Sequence, residues 1–135
     1  MSKQPSPIVL EHLKQELKHA YSPYSGVKVA AAVEFEIDGE KRVAYGVNVE
    51  NVSYGLTICA ERSAISVAIS QGMKEITGLY VISNQENPIS PCGACRQVVS
   101  EFMSAQSGLV YCVNESLEKD WISDLASLLP NRFDL

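Results

Sequence analysis

The chain has 135 residues, 46% of them hydrophobic and 20% charged, with a formal net charge of -5 and a pI near 5.0. A chain of this size buries roughly two-thirds of its unfolded surface without a disulfide staple, so one globular domain over residues 1–135 is expected. The acidic balance speaks against a nucleic-acid backbone as partner, which calls for a basic stripe, and no stretch nears the ~20 apolar residues of a membrane span.

The start, MSKQPSP, is polar and has no apolar run behind a basic region, so a cytoplasmic chain with reduced thiols is expected. In that setting its four cysteines point to metal or catalysis before disulfides.

Leu10, Leu13, Leu17 and Ala20 recur at helical spacing after Ser6-Pro7, which supply a cap and a first turn. His12, His19, Lys14 and Lys18 fall off that stripe and read as a solvated face. YSPYSG, Tyr21 to Gly26, ends the helix with proline and glycine. Val29, Ala31, Val33, Phe35 and Ile37 share one side of a strand, with Glu34 and Glu36 on the other, and Asp38-Gly39 signals a hairpin turn. The return strand puts Val43, Tyr45, Val47 and Val49 on one face against Ala44, Gly46, Asn48 and Glu50. NVSYGLT is a loop leading to a helix opened by Cys59, with apolar positions Ala60, Ala64, Val67 and Ala68 and a stop at Gln71-Gly72.

LYVIS (Leu79 to Ser83) and LVYCV (Leu109 to Val113) are continuous apolar runs, the mark of strands buried on both faces. Between them a loop with Pro88 and Pro91 carries the chain to a second cysteine helix, Cys92 to about Ser104. A short C-terminal helix is expected over Ile122 to Leu129, ended by Pro130. The order of elements predicts an α/β chain in which a mixed sheet carries helices on both faces.

Cys92-x-x-Cys95 alone has three readings: a thioredoxin-like redox pair, half of a four-cysteine structural zinc site, or two buried thiols without chemistry. Cys59, opening a different helix, shifts the balance. Two helix N-termini can bring their thiols to one point, and the partial positive charge of each end favours thiolate. Three thiolates around Zn²⁺ leave one tetrahedral corner for water, as in a catalytic site and not a structural one. Arg62 reads as a donor to sulfur; Arg96 is either such a donor or a surface charge. Cys112, inside a buried run, reads as a structural thiol. Glu61, two residues from Cys59 at the same helix end, can reach a water at the open corner and move its proton. Alone, it would merely complement the helix dipole, worth ~0.3–1 kcal/mol.

CAER with PCGACRQ downstream follows the ligand-x-Glu and Pro-Cys-x-x-Cys pattern of the zinc deaminases. With YSPYSG, NVENVSYGLTICAER, SPCGACRQ and LLPNRF, most of the chain resembles the cytidine deaminase family in its small homotetrameric form. Cysteine at position 59, where many relatives acting on nucleotides, bases or nucleic acids carry histidine, is similar to the nucleoside-acting branch. The resemblance implies a three-layer α/β/α sandwich with about five strands, one zinc ion per chain on Cys59, Cys92 and Cys95, and no organic cofactor. It implies hydrolysis of the C4 amine of cytidine and deoxycytidine, a pyrimidine-salvage reaction, with Glu61 passing a proton to N3 and then to the departing amine. The Ala60 amide would contact the base carbonyl and the backbone around Ser90-Pro91 the leaving amino group.

From spacing alone, Asn48 and Glu50 are a polar strand end or a site for a sugar hydroxyl; the resemblance assigns them to the ribose. It also makes Phe133 either a cover over a neighbouring subunit's site or a residue packed on its own domain. Tyr54 stands between site edge and subunit contact. Val27 and Ala30 depart from the family, which often shows an aromatic and a glycine there; Val27 leaves open a modified cytosine nucleoside such as blasticidin S as the alternative substrate. Outside the family, a thiol oxidoreductase and a structural zinc domain are the remaining readings.

Overall fold

Ser6 and Pro7 open α1 (Pro7–Leu17) as their side chains require: Ser6 Oγ accepts from the Val9 N–H at 3.4 Å, and proline occupies a position whose N–H the helix would leave unpaired. Its buried residues are Val9, Leu13 and Leu17, so the stripe is turned by one residue from the expected one and Leu10 is only partly covered. His12 is exposed as expected, yet its ring stacks on Tyr45 at 3.9 Å and its Nε2 pairs with Glu16 at 3.1 Å. The computed structural model describes residues 4–104 and 108–135.

β1 (Val29–Ile37) and β2 (Glu40–Val47) form the predicted hairpin, in register from Ile37↔Glu40 to Ala30↔Val47. Asp38 and Gly39 turn it at φ values of 53° and 78°, the left-handed pair that matches the twist of the flanking strands. β3 (Ile76–Ser83) pairs antiparallel with the other edge of β1, β4 (Leu109–Asn114) parallel with β3, and β5 (Asp120–Ser123) antiparallel with β4. The mixed sheet has the order β2-β1-β3-β4-β5.

α2 (Ala60–Ser70) follows β2 and α3 (Gly93–Phe102) makes the crossover between parallel β3 and β4. Both cover one sheet face, where Ala64, Ile65, Ala68 and Val99 pack with Val33, Phe35, Leu79, Val81 and Val110. α1 covers the other with Val9, Leu13 and Leu17 on Ala30, Ala32, Tyr80, Ile82 and Val113. Three layers result, as the resemblance implies. Each fully buried leucine or valine contributes ~1.5–3 kcal/mol. β1 lies inside the sheet between β2 and β3 and is buried on both faces from Ala30 through Val33; only at its far end does the expected alternation, with Glu36 exposed, appear.

Three expectations are corrected. On α2, Ile65 is buried and Val67 exposed. α3 ends at Phe102, before Ser104. The stretch from Ile122 is not the start of a helix: Ile122 lies in edge strand β5, and only the short α4 (Leu125–Leu128) is helical. Asp124 sets that start, since its side chain accepts from the Ser127 N–H at 2.8 Å and caps the helix after position 124.

Gly46 fixes how low α2 sits. A Cβ there would lie 2.4 Å from the Ala64 nitrogen and 2.8 Å from the Ser63 carbonyl carbon, so the helix backbone rests on the strand. Among the described residues no helix is long and apolar enough to cross a membrane.

Candidate metal centre and active site

Cys59 is the N-cap of α2 and Cys92 the N-cap of α3, with Cys95 one turn into α3. Because both helices lie on one sheet face with their N-termini together, the three sulfurs fall within 4.8 Å of one another, and Cys59 Sγ is 3.9 Å from Cys92 Sγ. Arg62, one turn along α2, donates Nη2 to the Cys59 sulfur at 3.4 Å, as expected. Hydrogen bonds from Cys95 first, then from Arg62 and Cys92, bring the Cys59 thiol down to about 5. The Cys95 thiol moves the other way, raised by its bond to Cys59 and by burial. Cys112 lies in β4 outside this trio, pushed up to about 12 by burial, which agrees with a structural thiol.

Glu61 is the second residue of α2 and only 5% exposed. Burial, and after it the negative Cys59 sulfur, holds its carboxyl above the ordinary carboxylate value, against hydrogen bonds and the Arg62 charge that lower it. Ala60, fully buried beside it, is the first residue of α2, so the helix itself leaves its N–H unpaired. Arg96 does not donate to sulfur. Its Nε bonds the Pro91 carbonyl at 2.7 Å, Nη1 the Leu128 carbonyl at 2.9 Å and Nη2 the Ser90 hydroxyl at 3.0 Å. The guanidinium therefore braces the loop before Cys92 against the end of α4.

Asn48 and Glu50 follow β2, with Val49 between them turned out, 43% exposed. The Asn48 amide is buried and bonded at both ends: Oδ1 accepts from Val29 N at 2.9 Å and Nδ2 donates to the Val27 carbonyl at 2.8 Å. One further N–H and one lone pair remain for a ligand. The Glu50 carboxylate accepts from the Tyr24 N–H at 3.0 Å, the Ser25 N–H at 3.2 Å and the Ser25 hydroxyl at 2.5 Å. The bond from the Ser25 hydroxyl leads in holding Glu50 below the usual carboxylate value. A cavity of about 300 Å³ opens here, lined by Tyr24, Ser25, Glu50, Tyr54 and Thr57. Tyr24 and Tyr54 meet edge to face at 5.8 Å on its wall.

Phe133 is 69% exposed, and its carbonyl accepts from Gln97 Nε2 at 3.2 Å. Tyr24 and Ser25 bond Glu50 and line this cavity, a placement that pattern reading passes over, since the spacing in YSPYSG signals only a helix break. The period-2 spacing of Asn48 and Glu50 gives no sign of a partner 25 residues back in the chain.

Residues 6–112 match the family described as the cytidine and deoxycytidylate deaminase zinc-binding region. The chain belongs to that family. It is 42% identical over 120 residues to a cytidine deaminase of Sporosarcina psychrophila, covering 89% of this chain and 85% of that protein. It is 39% identical to a cytidine deaminase of Halalkalibacterium halodurans over 126 residues, 93% of this chain and 92% of that one. Among solved structures, cytidine deaminase from Burkholderia pseudomallei superposes with a TM-score of 0.84 at 36% identity, over 96% of this chain and all of that one. The Mycobacterium tuberculosis enzyme does so with a TM-score of 0.74 at 35% identity, over 93% and 94%.

The trio suits the family's metal. Zinc–sulfur bonds of about 2.3 Å in a tetrahedron set sulfurs about 3.8 Å apart, and Cys59 and Cys92 stand at 3.9 Å. Soft thiolates from a deaminase zinc region fit one zinc ion per chain.

Proposed function

We propose that this chain, as one catalytic domain over residues 1–135, hydrolyses the C4 amine of cytidine and deoxycytidine, giving uridine and deoxyuridine plus ammonia. The observation that carries the reading is Glu61: a buried carboxyl at the helix start that also delivers Cys59 to a three-thiol site.

When bound, zinc held by Cys59, Cys92 and Cys95 supplies Lewis acidity that makes water nucleophilic near neutral pH. Glu61 accepts one proton of the attacking water and delivers it to N3 of the base, then takes the remaining hydroxyl proton at C4 and gives it to the departing amine as the C4 carbonyl forms. Its raised proton affinity suits a group that must both take and return a proton. The free N–H of Ala60 receives the base carbonyl. The backbone at Ser90-Pro91, held by Arg96, receives the leaving amino group. Asn48 and Glu50 bind the sugar hydroxyls, the carboxylate remaining ionised to accept from them. Phe133, exposed on its own subunit, covers the site of a neighbour in a homotetramer. The free thiols suit the cytoplasm.

A deaminase of a modified nucleoside such as blasticidin S is not favoured, since the relatives that share 36–42% of its residues are named cytidine deaminase. Loss of cytidine absorbance with ammonia release, run beside deoxycytidine and 5-methylcytidine and with and without a strong chelator, tests the reading. Turnover of the first two that stops on chelation is expected; turnover indifferent to the chelator, or none of either nucleoside, overturns it.

A further inference from the structure

The strip from Gly26 to Val29, between the YSPYSG turn and the body of β1, is bonded like the middle strand of a sheet, yet side chains do the work of its neighbours. On one side Asn48 takes Val29 N, donates to the Val27 carbonyl, and gives its own N–H to the Val29 carbonyl at 3.1 Å. On the other stands Asn84, one residue past β3. Its Nδ2 donates to the Gly26 carbonyl at 2.9 Å, its Oδ1 accepts from Lys28 N at 3.0 Å, and its backbone N–H goes to the Lys28 carbonyl at 3.1 Å. Gln85 Nε2 also donates to that Oδ1, at 3.0 Å. A primary amide carries a peptide's donor and acceptor, so each asparagine extends its ladder one step beyond the strand.

Gly26 N donates back to the Ser22 carbonyl at 3.0 Å, and one bond of the strip runs to the site. Val27 N donates to Ser25 Oγ at 3.0 Å. Ser25 has one hydroxyl proton; with a lone pair taken by Val27, that proton is aimed at Glu50, where it makes the 2.5 Å bond.

We propose that Asn84 is a positioning residue for sugar recognition: by fixing Gly26 to Lys28 it fixes the Val27 N–H, through it the Ser25 hydroxyl, and so the Glu50 carboxylate. The inference rests on the reading that Glu50 takes a sugar hydroxyl. Asn84 itself touches no substrate.

The test compares cytidine with 2′,3′-dideoxycytidine, which lacks the ring hydroxyls, using zinc-loaded Asn84→Ala and Asn84→Asp. The aspartate keeps an acceptor for Lys28 N but sets an oxygen against the Gly26 carbonyl. Both variants should raise KM for cytidine about five- to tenfold, keep kcat within about twofold, and leave dideoxycytidine unaffected. Ser25→Ala should give the same pattern, and decides the matter if the Asn84 variants fold poorly. An equal penalty on both nucleosides, or none on cytidine, overturns the role of Asn84. Glu50→Ala separates the two levels: if it too treats both nucleosides alike, the sugar assignment fails, and not merely the link to Asn84.

Discussion

Arg62 Nη2 meets the Cys59 sulfur at 3.4 Å, across one turn of α2. Three thiolates on a divalent ion carry a net charge of -1, which weakens its pull on electrons; a guanidinium on one sulfur draws charge back. The same helix start thus supplies a ligand, the buried Glu61 and the cation that tempers the ligand.

Glu61→Gln isolates proton transfer from metal binding. The amide keeps the shape and stays outside the thiol trio, so zinc should remain near one per chain by elemental analysis. Turnover should fall roughly 10²–10⁴-fold, the range of general acid–base catalysis. Wild-type ammonia release would remove Glu61 from its role.

Cys112→Ala asks whether the trio is the whole ligand set. Cys112 is fully buried in β4, so its loss should cost about 1 kcal/mol of stability through a small cavity. Zinc content and kcat should be unchanged, whereas Cys95→Ala should empty the site. Loss of zinc from the Cys112 variant contradicts the trio.

The Glu50 carboxyl gives a pH signature. It lies below its ordinary 4.5, led by the Ser25 hydroxyl bond. A carboxylate depressed in the folded state contributes stability that is present above its unfolded value and lost as the pH falls through the folded one. Carbon NMR of the zinc-free protein should place the Glu50 midpoint below 4.5 and move it upward in Ser25→Ala. No movement breaks the link between these residues.

Gly46→Ala tests the seat of α2. The new methyl carbon would meet backbone atoms of Ser63 and Ala64, which cannot turn aside. Overpacking of this kind costs typically about 1–3 kcal/mol, readable in urea unfolding. Gly93, with open space around it, serves as the comparison; Gly93→Ala should cost far less.

Local chemistry explains what was readable from residues alone. Asp38-Gly39 demands left-handed backbone, Ser6-Pro7 starts a helix, and Cys59, Cys92 and Cys95 at helix starts leave few uses besides a metal. What stayed hidden depends on direction or distance. A sequence neighbour does not say where a long side chain points, so the residues leave Arg96 between sulfur donor and surface charge, while it reaches carbonyls, one of them 32 residues away. β5 has only four residues at a sheet edge, too few for alternation to separate it from the helix that follows. Val67 and Ile65 exchange burial because the sheet beneath α2, not the helix's own period, decides which arc of it is covered.

With no room for a methyl beneath α2, the N-cap position that carries the Cys59 sulfur is placed by how the helix docks on the strand. Zinc retention therefore reports tertiary assembly. Cys92 and Cys95 stand on α3 alone, whereas the third thiol comes with α2, so the full trio exists only where both helices rest on the sheet.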